Sequence, residues 1–599
     1  MARTRLREQP TSTEPEVSLT PRWFSAPVET IGQVTEAGRL LYQELAAIEK
    51  QQTKQRYRSF VFSLLATGRA PASFSYSMSS AGSASAATFA SDFRPPSLNQ
   101  IAVVRDVLRE RVWSRVSWLQ IDPVVKSDFD LRERCLQASA WLDSFFESNG
   151  LEQDISSVGD EATIYGTGCY KIVPSRDKQR VETVRVLWDD LRISLDADLA
   201  KPTLVGAVAF ENRETLIRAY AAEDKELAQA ILRQPPACRG FNASKTIQDV
   251  VALCEGWHWY TAANGDDKGR HVLALSDGTT LVDEEWTLGC PFIFLRYTTS
   301  PKSFPGIGVP ERCLGLQLEL DRMCAARADF QRSMSRPHAQ VERSSQVSDP
   351  QADIVEYTGT PVRYDVISGT PKDLSVDIGA LEAKILAREG ISQVANGDVP
   401  DSLTAAVALE ASVRIADQRL RSHAVNLEEF IEAVGTQLLK VAAVVKPKTR
   451  VGDRDVNWSE VAIDLKRARL RAFKLSLLPS DQSKRLELIE RWSQAGLLTQ
   501  AQRMRLLEMP ETQGTPPPQS GSENLADKLV TEILKTGKYV PPDELCDPDV
   551  QYQHARARYL AEAAGGLEES KLVLLLQFIE AAKALVPPAP VAPPSPPQS

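Results

Sequence analysis

Along this chain the spacing of apolar residues changes texture twice. From about residue 98 to 150, apolar and charged positions alternate at helical spacing and stop at Asn149-Gly150, a helix-ending pair. Between about 160 and 300 the pattern becomes strand-like. Thr163–Val173, Val181–Ile193 and Leu204–Phe210 are rich in Val, Ile, Tyr and Thr and bounded by turn residues, which predicts strands of a mixed sheet. Trp257–Tyr260, His271–Leu275 and Phe292–Tyr297 continue it, with a helical insertion around Glu214–Leu232. Beyond Pro310 the helical period returns. Leu316, Leu320, Met323, Arg327, Phe330 and Met334 step by four and three, an apolar seam broken by one arginine, and Pro337 ends it.

Residues 338–370 offer strand-like pieces, Ile354–Tyr357 and Val362–Ile367, around the turn signals Asp349-Pro350 and Gly359-Thr360-Pro361. A second helix, about Ile378 to Gln393, leads to Ala-Asn-Gly-Asp-Val-Pro at 395–400. Asp401 or Ser402 then caps a last long helix with Leu420, Ala424, Leu427, Ile431, Val434, Leu438 and Val441 on one seam, and Pro447 stops it. At ~1.5 Å per residue, Ser402 to Val445 reaches roughly 65 Å. A globular core rarely needs such a rod.

The flanks are plainer. Residues 1 to about 30 carry no periodicity and predict a flexible arm, a helix is expected over Thr35–Leu65, and Gly68–Ser97 is a Ser/Ala/Gly-rich loop. Phe473, Leu475 and Leu477 alternate as a strand ending at Pro479. Asp481–Gln494 is helical, with Gly496 as its cap and Thr499 with Gln502 as a capping box for the next helix. A linker, Thr512–Glu523, precedes C-terminal helices, the last near Leu567–Leu585, and Pro587–Ser599 is proline-rich and expected to be disordered.

At 599 residues the chain exceeds what one hydrophobic core serves, so several regions are expected. A net charge of −9 argues against a protein that coats nucleic acid. Eight cysteines without a CxxC or a Cys/His ladder argue against zinc and a disulfide framework. The longest apolar run, Leu572–Ile579, is too short to span a bilayer, and the first residues lack the apolar core of a signal peptide. The expectation is a soluble protein made in the cytoplasm.

Chemistry finds little anchor. Tyr165-Gly-Thr-Gly168 and Gly306-Ile-Gly308 begin like dinucleotide loops but lack the third glycine, and there is no GxxxxGK[ST] and no GxSxG. They read as turn glycines. Asp189, Asp190, Asp196 and Asp198 are the carboxylates a metal-dependent nuclease would need, and Asp283, Glu284 and Glu285 form a second group; solvated turns explain both. The five histidines, 258, 271, 338, 423 and 554, are dispersed. The helix–Gly–helix unit at 481–509 has a helix-turn-helix outline, but Met504, Leu506, Leu507 and Met509 make its second helix a packing helix. Arg312, Arg322, Arg327, Arg332 and Arg336 interleave with Glu311, Glu319, Asp321 and Asp329, the pattern of a solvated face or intersubunit salt bridges, with a DNA-facing role open for some of the arginines.

The order strand, helix, small β region, helix, loop, long helix across 291–445 resembles the portal (head–tail connector) proteins of tailed bacteriophages, the short-tailed type above all. Residues 291–337 and 387–430 carry the likeness, and 103–146, 162–173 and 474–511 extend it to roughly 100–511. The implied fold class is α+β, predominantly helical, with a helical stem, a small β clip, a mixed α/β wing and a helical crown. The implied divisions are an N-terminal arm with helix and Ser/Ala-rich loop (1–97), wing (98–307), stem helix (308–337), clip (338–375), second stem helix (376–394) and tunnel loop (395–402). A long wing helix with a strand (403–480), a C-terminal helical region or crown (481–586) and a Pro-rich disordered tail (587–599) complete them.

That resemblance implies a homo-oligomeric ring, typically a dodecamer, at one capsid vertex of the virion. The ring would pass double-stranded DNA without reading its sequence during packaging and ejection. Implied partners are the terminase large subunit, the major capsid and scaffolding proteins and a tail adaptor, with no membrane, no cofactor, no metal and no catalysis. Asn396, Gly397, Asp398, Val399, Pro400 and Asp401 would form the tunnel loop facing DNA; Val341, Glu342, Tyr357, Arg363 and Tyr364 would lie in the clip that docks partners. A net negative charge suits a channel through which DNA slides, since each phosphate neutralised adds affinity and drag. The alternatives are the metal-dependent nuclease and a minor capsid protein without a channel.

Overall fold

A computed structural model of the chain describes residues 22–67, 98–114, 119–124, 129–193, 202–221, 224–237, 249–262, 267–335, 338–340, 343, 346–347, 357–359, 363–365, 372–391, 406–447, 449–451, 454–456, 458, 468–472, 482–494, 518–543, 545–564 and 567–585. In chain order the first elements are α1 (Glu36–Ala66), α2 (Gln100–Leu108), β1 (Leu119–Pro123), α3 (Phe129–Ser148), α4 (Leu151–Tyr165), β2 (Thr167–Pro174), β3 (Val181–Val186), β4 (Leu191–Arg192) and β5 (Leu204–Asn212). Next come α5 (Arg213–Tyr220), α6 (Lys225–Arg233), β6 (Val250–Thr261), β7 (Asp267–Leu275), β8 (Thr280–Trp286), β9 (Phe292–Arg296) and α7 (Val309–Ser335). They are followed by β10 (His338–Gln340), β11 (Gln346–Val347), β12 (Tyr357–Thr358), β13 (Arg363–Asp365), α8 (Lys372–Arg388) and α9 (Ala406–Val445). The last are β14 (Thr449–Val451), β15 (Arg454–Val456), β16 (Ala468–Ala472), α10 (Gln482–Gln494), α11 (Pro518–Thr536), α12 (Pro548–Ala564) and α13 (Glu569–Leu585). The class is α+β and predominantly helical.

The chain divides into two compact units, and it crosses between them several times. Unit 1 takes Met1–Arg109, Val158–Lys171 and Val184–Ala416; unit 2 takes Glu110–Ser157, Ile172–Thr183 and Asp417–Ser599. The expected wing, 98–307, is therefore shared between the units, while stem, clip and second stem fall within unit 1.

Unit 1 is built on an antiparallel sheet of order β4-β5-β6-β7-β8. Strand alternation puts Cys254 and Val272 on one face, under Trp23, Leu41 and Leu45. Val251, Leu253, Leu273 and Leu275 lie on the other, with Leu216, Leu227 and Ile231 of α5 and α6. Trp23 to Pro27, inside the stretch of 1 to about 30 expected as a flexible arm, are tied down. Trp23 is fully buried, and the Arg270 guanidinium, paired with Asp283 (2.7 Å), also donates to the carbonyls of Trp23 (3.3 Å) and Ala26 (2.5 Å). Thr35 caps α1, its Oγ1 accepting from Gly38 N at 3.0 Å.

In unit 2, β1 pairs with β16, from Leu119↔Ala472 to Pro123↔Ala468. Helix α3 covers β1, with Ile121 N donating to Ser139 Oγ (3.0 Å) and Trp141 meeting Trp458 edge-on at 4.6 Å. From Asp417 onward α9 belongs to this unit. Of the seam read from the sequence, Leu420, Leu427, Ile431, Val434, Leu438 and Val441 are buried and Ala424 is half-buried. Gly435 sits where a Cβ would lie 2.3 Å from Leu119 Cδ1 and 2.8 Å from Leu470 Cδ2, so glycine lets the helix close on the strand pair. Val530, Ile533, Leu534, Ala555, Leu575 and Phe578 form a core among α11, α12 and α13.

Several expectations shift. Thr163–Tyr165 ends a helix rather than opening a strand, because Gly166 at φ +86° stops α4 and β2 starts only at Thr167. The stretch 98–150 contains the strand β1 between its helices, and β8 at 280–286 joins the expected strands. Helix α8 starts at Lys372 and ends at Arg388, both earlier than expected, since Gly390 at φ +77° terminates it. The expected linker at 512–523 is helical from Pro518. The strand expected at 473–479 and the capping box at 499–502 lie outside the described residues; the observed strand is β16 just before them.

Candidate functional site

Of the element order that carries the family likeness, the part from β9 to α8 lies in unit 1 and forms a helix–β–helix arm. Strand β9 pairs with β2, Thr167↔Arg296 to Lys171↔Phe292. The chain then turns through Gly306 and Gly308 into α7. Neither glycine pair cradles a phosphate. A Cβ on Gly166 would fall 2.1 Å from Gly306 O, and one on Gly306 would fall 2.1 Å from Gly166 O, so two backbones pass each other there. Gly306 N donates to Thr167 Oγ1 at 2.8 Å and Tyr297 N to Gly166 O at 3.0 Å, locking the crossing.

From this point α7 leaves and α8 returns beside it. Between them the short strands nest. β10 pairs with β13, His338↔Asp365 to Gln340↔Arg363, and β11 pairs with β12, Gln346↔Thr358 and Val347↔Tyr357. Tyr357, Arg363 and Tyr364 of the expected clip thus lie on this small β region by backbone register. Val341 and Glu342 lie outside the described residues, as do all of Asn396, Gly397, Asp398, Val399, Pro400 and Asp401.

The seam of α7 differs from the one expected. Val309, Cys313, Gln317, Leu320 and Cys324 are buried, whereas Leu316, Met323, Arg327 and Phe330 are only half-buried. The reason is hydrogen bonding to the segment that opens α2. Gln317 Oε1 accepts from Gln100 N (3.1 Å), and Gln317 Nε2 donates to Leu98 O (3.0 Å) and Asp321 Oδ1 (3.0 Å). A satisfied glutamine occupies the centre of the seam, which an apolar count overlooks.

The root of the arm holds a polar cluster that the sequence did not disclose. Glu389, with its side chain fully buried, accepts from Tyr297 Oη (2.8 Å), pairs with Arg312 Nε (3.1 Å) and takes the Cys313 thiol at 3.4 Å. Arg312 Nη1 donates to Thr298 Oγ1 (3.0 Å) and Nη2 to Arg388 O (3.4 Å). One guanidinium therefore joins the end of β9, the first turn of α7 and the last turn of α8. Burial, reinforced by the Glu389 charge, raises the Tyr297 hydroxyl and pushes the Cys313 thiol up to about 12. Both are hydrogen donors to the carboxylate, not acids or nucleophiles. Of the other α7 arginines, Arg322 is exposed beside Glu319 (3.3 Å).

The acidic groups are drawn into packing. Asp190 is buried in a short helical turn with Asp189, whose carboxyl is raised by burial against the hydrogen bond from Ser59; Asp196 and Asp198 lie outside the described residues. Arg192, also buried, donates to Asp189 O at 2.7 Å. Asp283 pairs with Arg270, and Glu284 faces His271 Nδ1 at 3.2 Å. His271 Nε2 faces Glu255 (3.1 Å), which also holds Lys171 Nζ at 2.6 Å, and Trp257 stacks on the imidazole at 3.6 Å. Burial alone would raise the Glu255 carboxyl, but Lys171 and His271 outweigh it and hold it down at about 2. Among the described residues no three His, Cys, Asp or Glu side chains converge as a metal site requires, and no helix is long and apolar enough to cross a membrane.

No family model matches the sequence, and no curated protein matches it. Among solved structures, the chain is similar to one in the virion of a native gene transfer agent particle, at 10% identity and a TM-score of 0.30, covering 69% of this chain and 91% of that one. It is also similar to a chain in the neck of an empty gene transfer agent particle computed with C6 symmetry. There the identity is 12% and the TM-score 0.31, over 69% of this chain and 90% of that one.

Proposed function

We propose that this chain is the subunit of a portal ring. The ring would stand at one vertex of a phage-type capsid, conduct double-stranded DNA in and out, and dock the packaging terminase and then the tail adaptor. The observation that carries this reading is the order within 291–445. Strand β9 feeds α7, nested strand pairs interrupt the chain, α8 returns beside α7, and the 40-residue α9 follows. That is the order of stem, clip, second stem and wing helix in portals.

On this reading the small β region is the docking end for terminase and adaptor. The segment containing Asn396 to Asp401 faces the duplex with few cations, so that DNA slides rather than binds. Major capsid and scaffolding proteins surround the ring, which is a virion component with no covalent chemistry and no cofactor. Deleting 395–400 tests the assignment. Rings should assemble as in the wild type while packaging or retention of DNA falls sharply. A deletion that abolishes the ring, or one that leaves packaging unchanged, counts against it.

A further inference from the structure

The root cluster has a geometry that stability alone does not require. A buried carboxylate costs several kcal/mol unless it is paired, and an apolar pair of similar volume usually serves a core as well or better. Here Glu389 sits at the end of α8, one residue before the αL glycine Gly390 and two before the buried Ile391, whose N–H is tied back to Leu386 O at 2.9 Å. Its three donors come from two other places in the chain, Tyr297 after β9 and Arg312 with Cys313 in the first turn of α7. Directional bonds from separate elements fix an angle as well as a distance, which apolar contact does not.

We infer that Glu389 is a positioning residue that, through Arg312 and Tyr297, sets the direction in which the chain leaves α8 relative to the root of α7. This rests on the portal reading for its purpose: the segment leaving α8 would be the one that faces DNA, and α7 leads to the docking end.

The test is amide hydrogen exchange on the full-length chain, in whatever assembly it forms, beside thermal unfolding. Glu389→Gln keeps the shape and removes the charge. The root amides of 309–313 and 386–391 should exchange about tenfold faster, the loss of roughly one charge-assisted hydrogen bond, while the β5–β8 sheet is unchanged. The double variant Arg312→Met/Glu389→Met supplies the control. Its melting temperature should return to the wild-type value while the root amides stay fast. Unchanged root exchange in Glu389→Gln overturns the inference. So does faster exchange throughout unit 1, or a double variant that restores melting and root exchange together. Exchange is read without a ring, so failure of the portal reading and failure of this joint are separable.

Discussion

Two of the long helices of this chain, α7 and α9, bury themselves with a different balance of apolar and polar side chains. The part of helix α9 within unit 2 buries mainly apolar side chains, Leu427, Ile431, Val434, Leu438 and Val441, with Glu428 and Gln437 buried beside them. Helix α7, within unit 1, buries Cys313, Gln317, Leu320 and Cys324, and starts against the buried Glu389 side chain. The apolar stripe is strong and non-directional, and it tolerates small slides. The polar seam is costly to build, but each hydrogen bond specifies one register. Helix α7, the first helix of the helix–β–helix arm, is the one with a hydrogen-bonded glutamine at the centre of its seam.

The comparison can be broken at several points. Arg312→Met leaves Glu389 buried without its cation and should destabilise unit 1 by about 4 kcal/mol in urea unfolding; a loss below ~1 kcal/mol would mean that the pair is not buried as described. Ile431→Ala removes atoms from the stripe of α9 and should cost about 3 kcal/mol by transfer and cavity terms together. Its signature is a lower denaturant midpoint with no dependence on salt or pH.

Acid separates the two modes further. Glu255 in the sheet of unit 1 is held at about 2 against an ordinary 4.5, so its contribution is complete above pH 4.5 and is lost as the pH falls toward 2. Between pH 4.5 and 3 the wild type should lose about 2 kcal/mol through this group, at about 1.4 kcal/mol per pH unit. Replacing it by Gln should flatten the stability–pH curve in that window. An unchanged slope would contradict the ion-pair geometry. The smallest effect belongs to Arg322→Ala: its exposed pair with Glu319 should be worth less than about 0.5 kcal/mol.

Legibility in the sequence followed the same divide. The stripe of α9 repeats every three and four residues, so its seam and its C-terminal end at Val445 were readable directly. The start of helix α8 is hidden because its first turns, Lys372 to Val376, are mostly polar or exposed, and its end because the apolar pattern runs on past Gly390 to Ile391. Strand β1 was missed because five residues (LQIDP) make a strand only when paired with β16, which lies at the far side of α9 in sequence. In the root cluster, Glu389 follows Arg388 at a helix end and looks like any solvated pair. Its real partner Tyr297 is 92 residues away. One signal was present, the spacing of Cys313, Gln317, Leu320 and Cys324, which is as regular as the apolar seam beside it.

The central claim is that this rod-bearing chain works in a ring. Electron microscopy of the purified full-length protein tests it most directly. The account predicts closed rings of one copy number with a central channel wide enough for duplex DNA, and with α7 and α8 lying beside the channel. A monodisperse monomer, or an assembly without a through-going channel, would contradict it.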